Sequence, residues 1–302
     1  MQPTPLQSLK SIPLPVLIHA VWGMARPLQL LAIGLVYALG LLIARADGYM
    51  LVIGEVLVGL TMLIPVAMSV HYANEYADYE TDALTTRTPF SGGSGVLPGS
   101  DVPRELALYA LIVSFAVGMV LMLVFWPGIL AAVILLLITF FGWMYSLPPL
   151  MLAWRGWGEL DNALLGGLSL HLYGYAMVTG TLTVDILLIA TPFTMLVFLN
   201  LLATTWPDRG ADALVGKYTL ATLWLPPRLR RLYGGVALAA LMVTVALYER
   251  VVPAEVTALS LFVVPLVAWA WWRYTRSESP FFSVAAMVVL LVLNIAAWYA
   301  VG

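Results

Sequence analysis

An all-α membrane protein, built as a bundle of nine transmembrane helices, is the fold this sequence predicts, and three observations carry it. Of the 302 residues, 62% are hydrophobic and 10% charged, whereas soluble domains carry roughly 25% charged residues. Nine apolar runs approach the ~20 residues that one helical span requires; they lie at 27–44, 50–72, 104–125, 127–145, 160–180, 183–205, 231–249, 253–272 and 281–301. Lys and Arg then fall almost wholly in alternate loops, as expected when basic loops stay on the cytoplasmic side.

Residues 1–26 precede the first run. Pro3, Pro5, Pro13 and Pro15 interrupt any early helix, and no small-residue cleavage site follows, so this segment does not read as a signal peptide. "LPVLIHAVWGMARP" reads instead as an interfacial stretch leading into the first span, with Trp22 at headgroup depth. Each later run carries Leu, Val, Ala and Met continuously rather than in strict alternation, which favours helices over barrel strands. Trp269, Trp271, Trp272, Trp298 and Tyr299 sit near run ends, as an interfacial belt would place them.

With nine spans, one side holds Lys10, Arg26, Arg87, Arg104, Arg155, Arg209, Lys217, Arg228, Arg230, Arg231, Arg273 and Arg276, while the other holds only Arg45 and Arg250. One missed helix would scramble that split, so the asymmetry supports the span count and predicts a cytoplasmic N-terminus. The net charge of −2 says little beside the asymmetry across the membrane, no nucleic-acid partner is implied, and the absence of cysteine excludes a disulfide framework and thiolate chemistry.

The chemistry-bearing residues cluster at the cytoplasmic ends of the second and sixth runs. In "NEYADYETD", Asn74, Asp78 and Asp82 are spaced four apart, so on a helix they share one face at steps of about 6 Å. "NLLATTWPDRGADALVGK" repeats the device with Asn200, Thr204, Asp208 and Asp212. Asp78 and Asp208, Asp82 and Asp212, Asn74 and Thr204, and Arg87 and Lys217 are each 130 positions apart. The matched offset predicts one domain, 1–302, made as an internal pseudo-repeat of roughly 27–145 and 160–272 with a ninth helix at 281–301.

Four carboxylates sharing a site must be protonated or neutralised, and a divalent cation is the simpler remedy. Oxygen-only ligands favour a hard ion, Mg²⁺ above Mn²⁺ or Ca²⁺, and Mg²⁺ keeps positions open for substrate phosphates. Arg87 and Lys217 then read as clamps on those phosphates. Metal, phosphate and membrane together point to a lipid diphosphate.

"NEYADYETD" resembles the first acidic signature of the UbiA-type membrane prenyltransferases, and "DRGADALVGK" resembles their second, with its following Gly-Lys. The nine runs, Arg26-Pro27 opening the first helix, and "YSLPP" at 145–149 fit the same family. "RTPFSGGSGVL" at 87–97 and "GWGEL" at 156–160 look most like its 1,4-dihydroxy-2-naphthoate polyprenyltransferases of menaquinone synthesis.

The resemblance implies transfer of a polyprenyl group from an allylic diphosphate to an aromatic acceptor, inside a helical bundle whose central cavity opens to the cytoplasmic side of a prokaryotic membrane. Asp78, Asp82, Asp208 and Asp212, with Asn74 assisting, would hold two Mg²⁺ ions. Arg26, Arg87, Ser91, Arg155, Asn200 and Lys217 would contact substrate, and Tyr145 would face the allylic cation. Two departures stand out: Thr204 occupies the position where the family usually shows Asn, and Pro149 stands where relatives carry a basic residue, leaving Arg155 as its substitute.

Other readings remain open for single residues. Glu159 and Asp161 suit either a helix cap or an acceptor site, and His71 and His171 suit either a hydrogen-bonded structural role or a functional one. Alternative acceptors are 4-hydroxybenzoate, chlorophyllide, heme and a glycerol-phosphate lipid. An ion-coupled transporter also uses repeats and intramembrane carboxylates, but its site belongs at the midplane.

Overall fold

The computed structural model describes residues 12–85, 90 and 92–302, and Arg87 and Ser91 lie outside them. Among the described residues the chain forms helices and two isolated bridges, with no strand. Lipid dictates this outcome, because backbone polar groups inside hydrocarbon must be satisfied within their own segment.

A short helix α1 (Leu14–Met24) precedes α2 (Pro27–Ala46), which opens on a proline at its first position, where the missing N–H costs nothing. Then follow α3 (Ile53–Ala77), α4 (Tyr79–Leu84), α5 (Glu105–Phe125) and α6 (Ile129–Ser146). The second half runs through α7 (Gly158–Ala163), α8 (Leu170–Thr179), α9 (Val184–Thr205), α10 (Arg209–Leu214), α11 (Leu220–Leu223) and α12 (Pro226–Ala246). It closes with α13 (Ala254–Leu261), α14 (Val264–Arg273) and α15 (Phe281–Val301).

Among the described residues, eight helical segments are long and apolar enough to cross a membrane, counting α13 and α14 as one. The expected ninth, residues 160–180, is helical almost throughout but not as one regular α-helix. A π-helical turn over Leu164–Ser169 separates α7 from α8. At its centre a Cβ on Gly167 would lie 2.6 Å from the Thr194 Cα of α9, so the widened turn goes with close contact between the two segments. Large apolar side chains cover the outside, with Leu28 84%, Leu123 71% and Phe262 71% exposed. Such a surface suits lipid and would be an aggregation patch in water. The chain is therefore an integral multi-pass membrane protein.

Packing inside the bundle uses small residues. α2 and α8 cross where Gly40 faces the His171 carbonyl and Gly174 faces the Tyr37 carbonyl; a Cβ at either glycine would collide with that oxygen. Backbones that approach this closely gain dispersion contacts that lipid tails alone would not drive. Nearby Tyr37 and Tyr173 are fully buried and send their hydroxyls to the Val56 and Gly59 carbonyls of α3. α3 in turn packs on α5 and α6, while α9 packs on α12 and α15.

Gly40→Val and Gly174→Val are expected to lower the melting temperature in detergent, since overpacking of this kind costs about 1–3 kcal/mol. Gly235→Ala, whose added Cβ meets nothing within 4 Å, is the control. Equal melting of all three variants and the parent would contradict this packing.

Candidate active site

The i, i+4 stripe predicted for the first motif bends in the structure. α3 ends at Ala77, Asp78 sits at the junction with φ −91° and ψ 9°, and α4 begins at Tyr79. The second motif breaks at the same place: α9 ends at Thr205, Pro207 follows, and Asp208 precedes α10. Both motifs therefore end a long apolar helix and restart as a six-residue helix, and α4 packs against α10. That contact brings Asp78 of the first motif and Asp212 of the second to a shared partner, Lys217. Asp78 and Asp212 are buried, and Asp82 and Asp208 half-buried.

Lys217 joins the motifs. Its Nζ lies 2.9 Å from Asp78 Oδ2 and 3.7 Å from Asp212 Oδ1. Local backbone chemistry delivers it there: Gly216, at φ +75°, reverses the chain after α10, a conformation that glycine adopts without a Cβ penalty. Gly216 N–H then donates to the Ala213 carbonyl, and Lys217 N–H to the Asp212 carbonyl at 2.8 Å. That pair is the hydrogen-bond pattern of a helix C-cap. The ring of Trp154 lies 5.9 Å from Nζ. Burial alone would lower the Lys217 pKa, but Asp78 and Asp212 outweigh it and raise it above the ordinary value, so the ammonium stays charged.

Asn74 organises the other side of Asp78. Its amide N–H groups donate to Asp78 Oδ2 at 2.8 Å and Ser146 Oγ at 3.2 Å, and its carbonyl accepts from Arg26 at 2.8 Å. Asp78 Oδ1 is buried and lacks a hydrogen-bond partner among the described residues, as does Asn200 Oδ1 on α9. Thr204 donates to the Leu201 carbonyl of its own helix, so it does not act as Asn74 does in the first motif. Tyr145, at the end of α6, lies with its ring over Gly158 and within electrostatic reach of Lys217.

Other expected contacts fall elsewhere. Arg26 gives Nε and Nη2 to Glu75 and Asn74 rather than pointing at the aspartates. Arg155 is exposed; its backbone pairs with Tyr218 and so fixes the loop beside Lys217. Glu159 is buried and bonds both its own backbone N–H and, through Oε1 at 2.9 Å, the Leu220 N–H that opens α11. His71 bonds the Ala25 carbonyl at 2.7 Å and His171 the Gly167 carbonyl, so both hold backbone. The motif pattern missed Glu75, Ser94, Ser146 and Trp154. A lone carboxylate within an apolar helix is costly enough to have marked Glu75.

Two large cavities lie among the described residues, and neither is lined by the aspartates. One of about 590 Å³ lies between α1 and residues 93–102 and includes Arg26 and His19. The other, of about 330 Å³, is apolar and lined in part by Ile189, Phe193 and Leu196 of α9. Asn200 follows Leu196 by one turn on that same face.

The residues fit a hard cation only in an open arrangement. Among the described residues no three His, Cys, Asp or Glu side chains converge as a closed metal cage would. The donors are oxygens, and Asp78 keeps one buried oxygen unpaired. Mg²⁺ is characteristically held by one or two carboxylates with the remaining positions left to water and phosphate.

Residues 31–280 match the profile of the UbiA prenyltransferase family. The chain belongs to that family. Its fold is similar to that of a UbiA homologue from Archaeoglobus fulgidus bound to GPP and Mg²⁺, with a TM-score of 0.72 and 18% identity, covering 93% of this chain and 99% of that one. A UbiA homologue from Aeropyrum pernix K1 gives a TM-score of 0.69 at 15% identity, over 89% and 96% of the two chains. Digeranylgeranylglyceryl phosphate synthase gives 0.68 at 14% identity, over 94% and 99%. No curated protein matches the chain in sequence. For this family member, the likeness to solved structures concerns the fold.

Burial raises the Asp82 carboxyl to about 7, helped by Asp78 and Glu75. Burial raises Asp212 to about 7 as well, with Lys217 opposing and Asp208 and Asp78 adding. A raised carboxyl pKa means protonation below about pH 7, and a cation must displace those protons. The rise in melting temperature on adding Mg²⁺ is therefore expected to be larger at pH 8 than at pH 6. An equal rise at both would contradict proton-coupled binding at these aspartates.

Proposed function

We propose that this protein transfers a polyprenyl group, within the membrane, from an allylic diphosphate to an aromatic acceptor, with 1,4-dihydroxy-2-naphthoate the favoured acceptor. The observation that carries the reading is the Lys217 ammonium held between Asp78 and Asp212, where two acidic motifs supply cation ligands and a basic group meets phosphate. The family membership and the resemblance of the 87–97 and 156–160 stretches support the donor and the acceptor respectively.

In this reading two divalent ions, Mg²⁺ before Mn²⁺, would supply charge neutralisation for a bound diphosphate. Asp78, Asp82, Asp208 and Asp212 hold them, with Asn74 and Asn200 beside the two sets. Lys217 shifts from its carboxylates toward the leaving oxygens, together with Arg87, Ser91 and the exposed Arg155. Such stabilisation lowers the barrier only where it is stronger in the transition state than in the bound substrate.

The diphosphate leaves with the electron pair of the C–O bond, the aromatic ring supplies the pair for the new C–C bond, and the ring regains aromaticity as the alkylated carbon loses its proton or, where it carries a carboxylate, CO₂. Tyr145 presents its ring toward the allylic carbon. The apolar cavity along α9 takes the isoprenoid tail, because its stripe of Ile189, Phe193 and Leu196 leads directly to Asn200. The two halves, 27–145 and 160–272, supply equivalent acidic helices, and the basic-loop asymmetry puts them on the cytoplasmic side of a prokaryotic membrane, where a cavity admits the acceptor.

A second reading, transfer to the hydroxyl of a glycerol-phosphate lipid, is favoured by the fold's likeness to digeranylgeranylglyceryl phosphate synthase.

Purified protein in lipid, given geranylgeranyl diphosphate, Mg²⁺ and 1,4-dihydroxy-2-naphthoate, is expected to release pyrophosphate and prenylated product. Asp78→Asn and Asp208→Asn should each cut turnover about 100-fold or more while melting near the parent. Product with only 4-hydroxybenzoate or only a glycerol-phosphate lipid would replace the acceptor, and unchanged rates in both variants would remove the proposed site.

A further inference from the structure

We infer that Glu75 is a positioning residue that sets both carboxylates of the first acidic motif at once, an inference resting on the diphosphate and metal site proposed above. Glu75 is 2% exposed and lies one residue off the Asn74, Asp78, Asp82 series. Its carboxylate accepts from Arg26 Nε at 2.9 Å, Arg26 Nη2 at 2.5 Å, Ser94 N–H at 3.0 Å and Ser94 Oγ at 2.6 Å. With both oxygens so engaged, it orients its neighbours rather than meeting ion or substrate.

One arm runs to Asp78. Glu75 fixes the Arg26 guanidinium, whose Nη2 also donates to Asn74 Oδ1. That bond decides which way the Asn74 amide faces, leaving its NH₂ group to donate to Asp78 Oδ2 and Ser146. Asp78 is thereby turned so that Oδ2 lies among donors and Oδ1 is unpaired. The other arm runs to Asp82. Ser94, bound through both its N–H and its hydroxyl, anchors the glycine loop, and Gly93 before it, at φ +62°, lies directly on the Asp82 carboxylate. A Cβ on Gly93 would overlap Asp82 Oδ2.

The cost of the arrangement shows in the backbone. Arg26 has φ 54°, a left-handed conformation that is strained for a residue other than glycine. His71 holds the preceding Ala25 carbonyl and Tyr72 the Val21 carbonyl, so two adjacent turns of α3 grip the junction of α1 and α2. Strain maintained by a buried ion pair beside carboxylates points to function. Gln at position 75 would keep the shape but set an NH₂ group against Arg26 or Ser94 N–H donors, and so loosen one arm.

The test is Mn²⁺ binding to purified protein in nanodiscs with inorganic pyrophosphate present, read from the free-ion electron paramagnetic resonance signal, with melting temperature recorded in parallel. Glu75→Gln is expected to weaken Mn²⁺ binding about 10-fold or more, the range in which partners behind metal ligands act, while the protein stays folded. Ser94→Ala, which removes one bond and keeps the carboxylate, should weaken it in the same direction and serves if Glu75→Gln does not fold. Parent-like Mn²⁺ affinity in a folded variant overturns the positioning role. A parent protein that binds no Mn²⁺ overturns the underlying site instead.

Discussion

The rest of the structure depends on neutralising carboxylates brought together at one end of a helical bundle. Asp78 and Asp212 come from motifs 130 positions apart, and the Lys217 ammonium is the protein's own means of holding them. A buried ion pair of this kind repays its desolvation only when its geometry is good and its remaining bonds are made. That requirement explains the glycine turn that aims Lys217, the Asn74 amide on Asp78, and the continuity of hydrogen bonds outward to Ser146, Arg26 and Glu75.

Around this polar end the bundle is built with lipid as solvent. α2 and α8 close through glycines against carbonyl oxygens, while the outer faces present Leu, Val and Phe. Several irregular segments lie beside the polar end or on helices leading to it: the Arg26 break, the bends at Asp78 and Asp208, and the π turn before α8. Non-helical backbone is tolerated at such depth only where protein or a polar cavity satisfies it. The same irregularities aim the chemistry-bearing side chains, so fold and candidate site share one set of constraints.

Much of this was legible because the signals are local and periodic. Continuous apolar runs marked the spans, and the repeated four-residue spacing of Asp78, Asp82, Asp208 and Asp212 marked the acidic helices. What the pattern missed is tertiary. Nothing local says that Glu75, adjacent to Asn74, turns toward Ser94 across a 19-residue separation, or that Glu159 caps a helix 61 residues away. The smooth stripe through Asp78 was also too simple, because periodicity assumes an unbroken helix. The run at 160–180 has span-like composition, yet its contact with α9 is accommodated by a π turn.

The measurement that tests the account most directly is an experimental structure of the protein in lipid with Mg²⁺ and a thiolo analogue of an allylic diphosphate. The account predicts the diphosphate between α4 and α10, with the ions bridging it to aspartates of both motifs, Lys217 on a phosphate oxygen, and the tail along Leu196 and Phe193. A diphosphate seated instead in the cavity beside α1 and residues 93–102, with Lys217 still paired to Asp78 and Asp212, would contradict it.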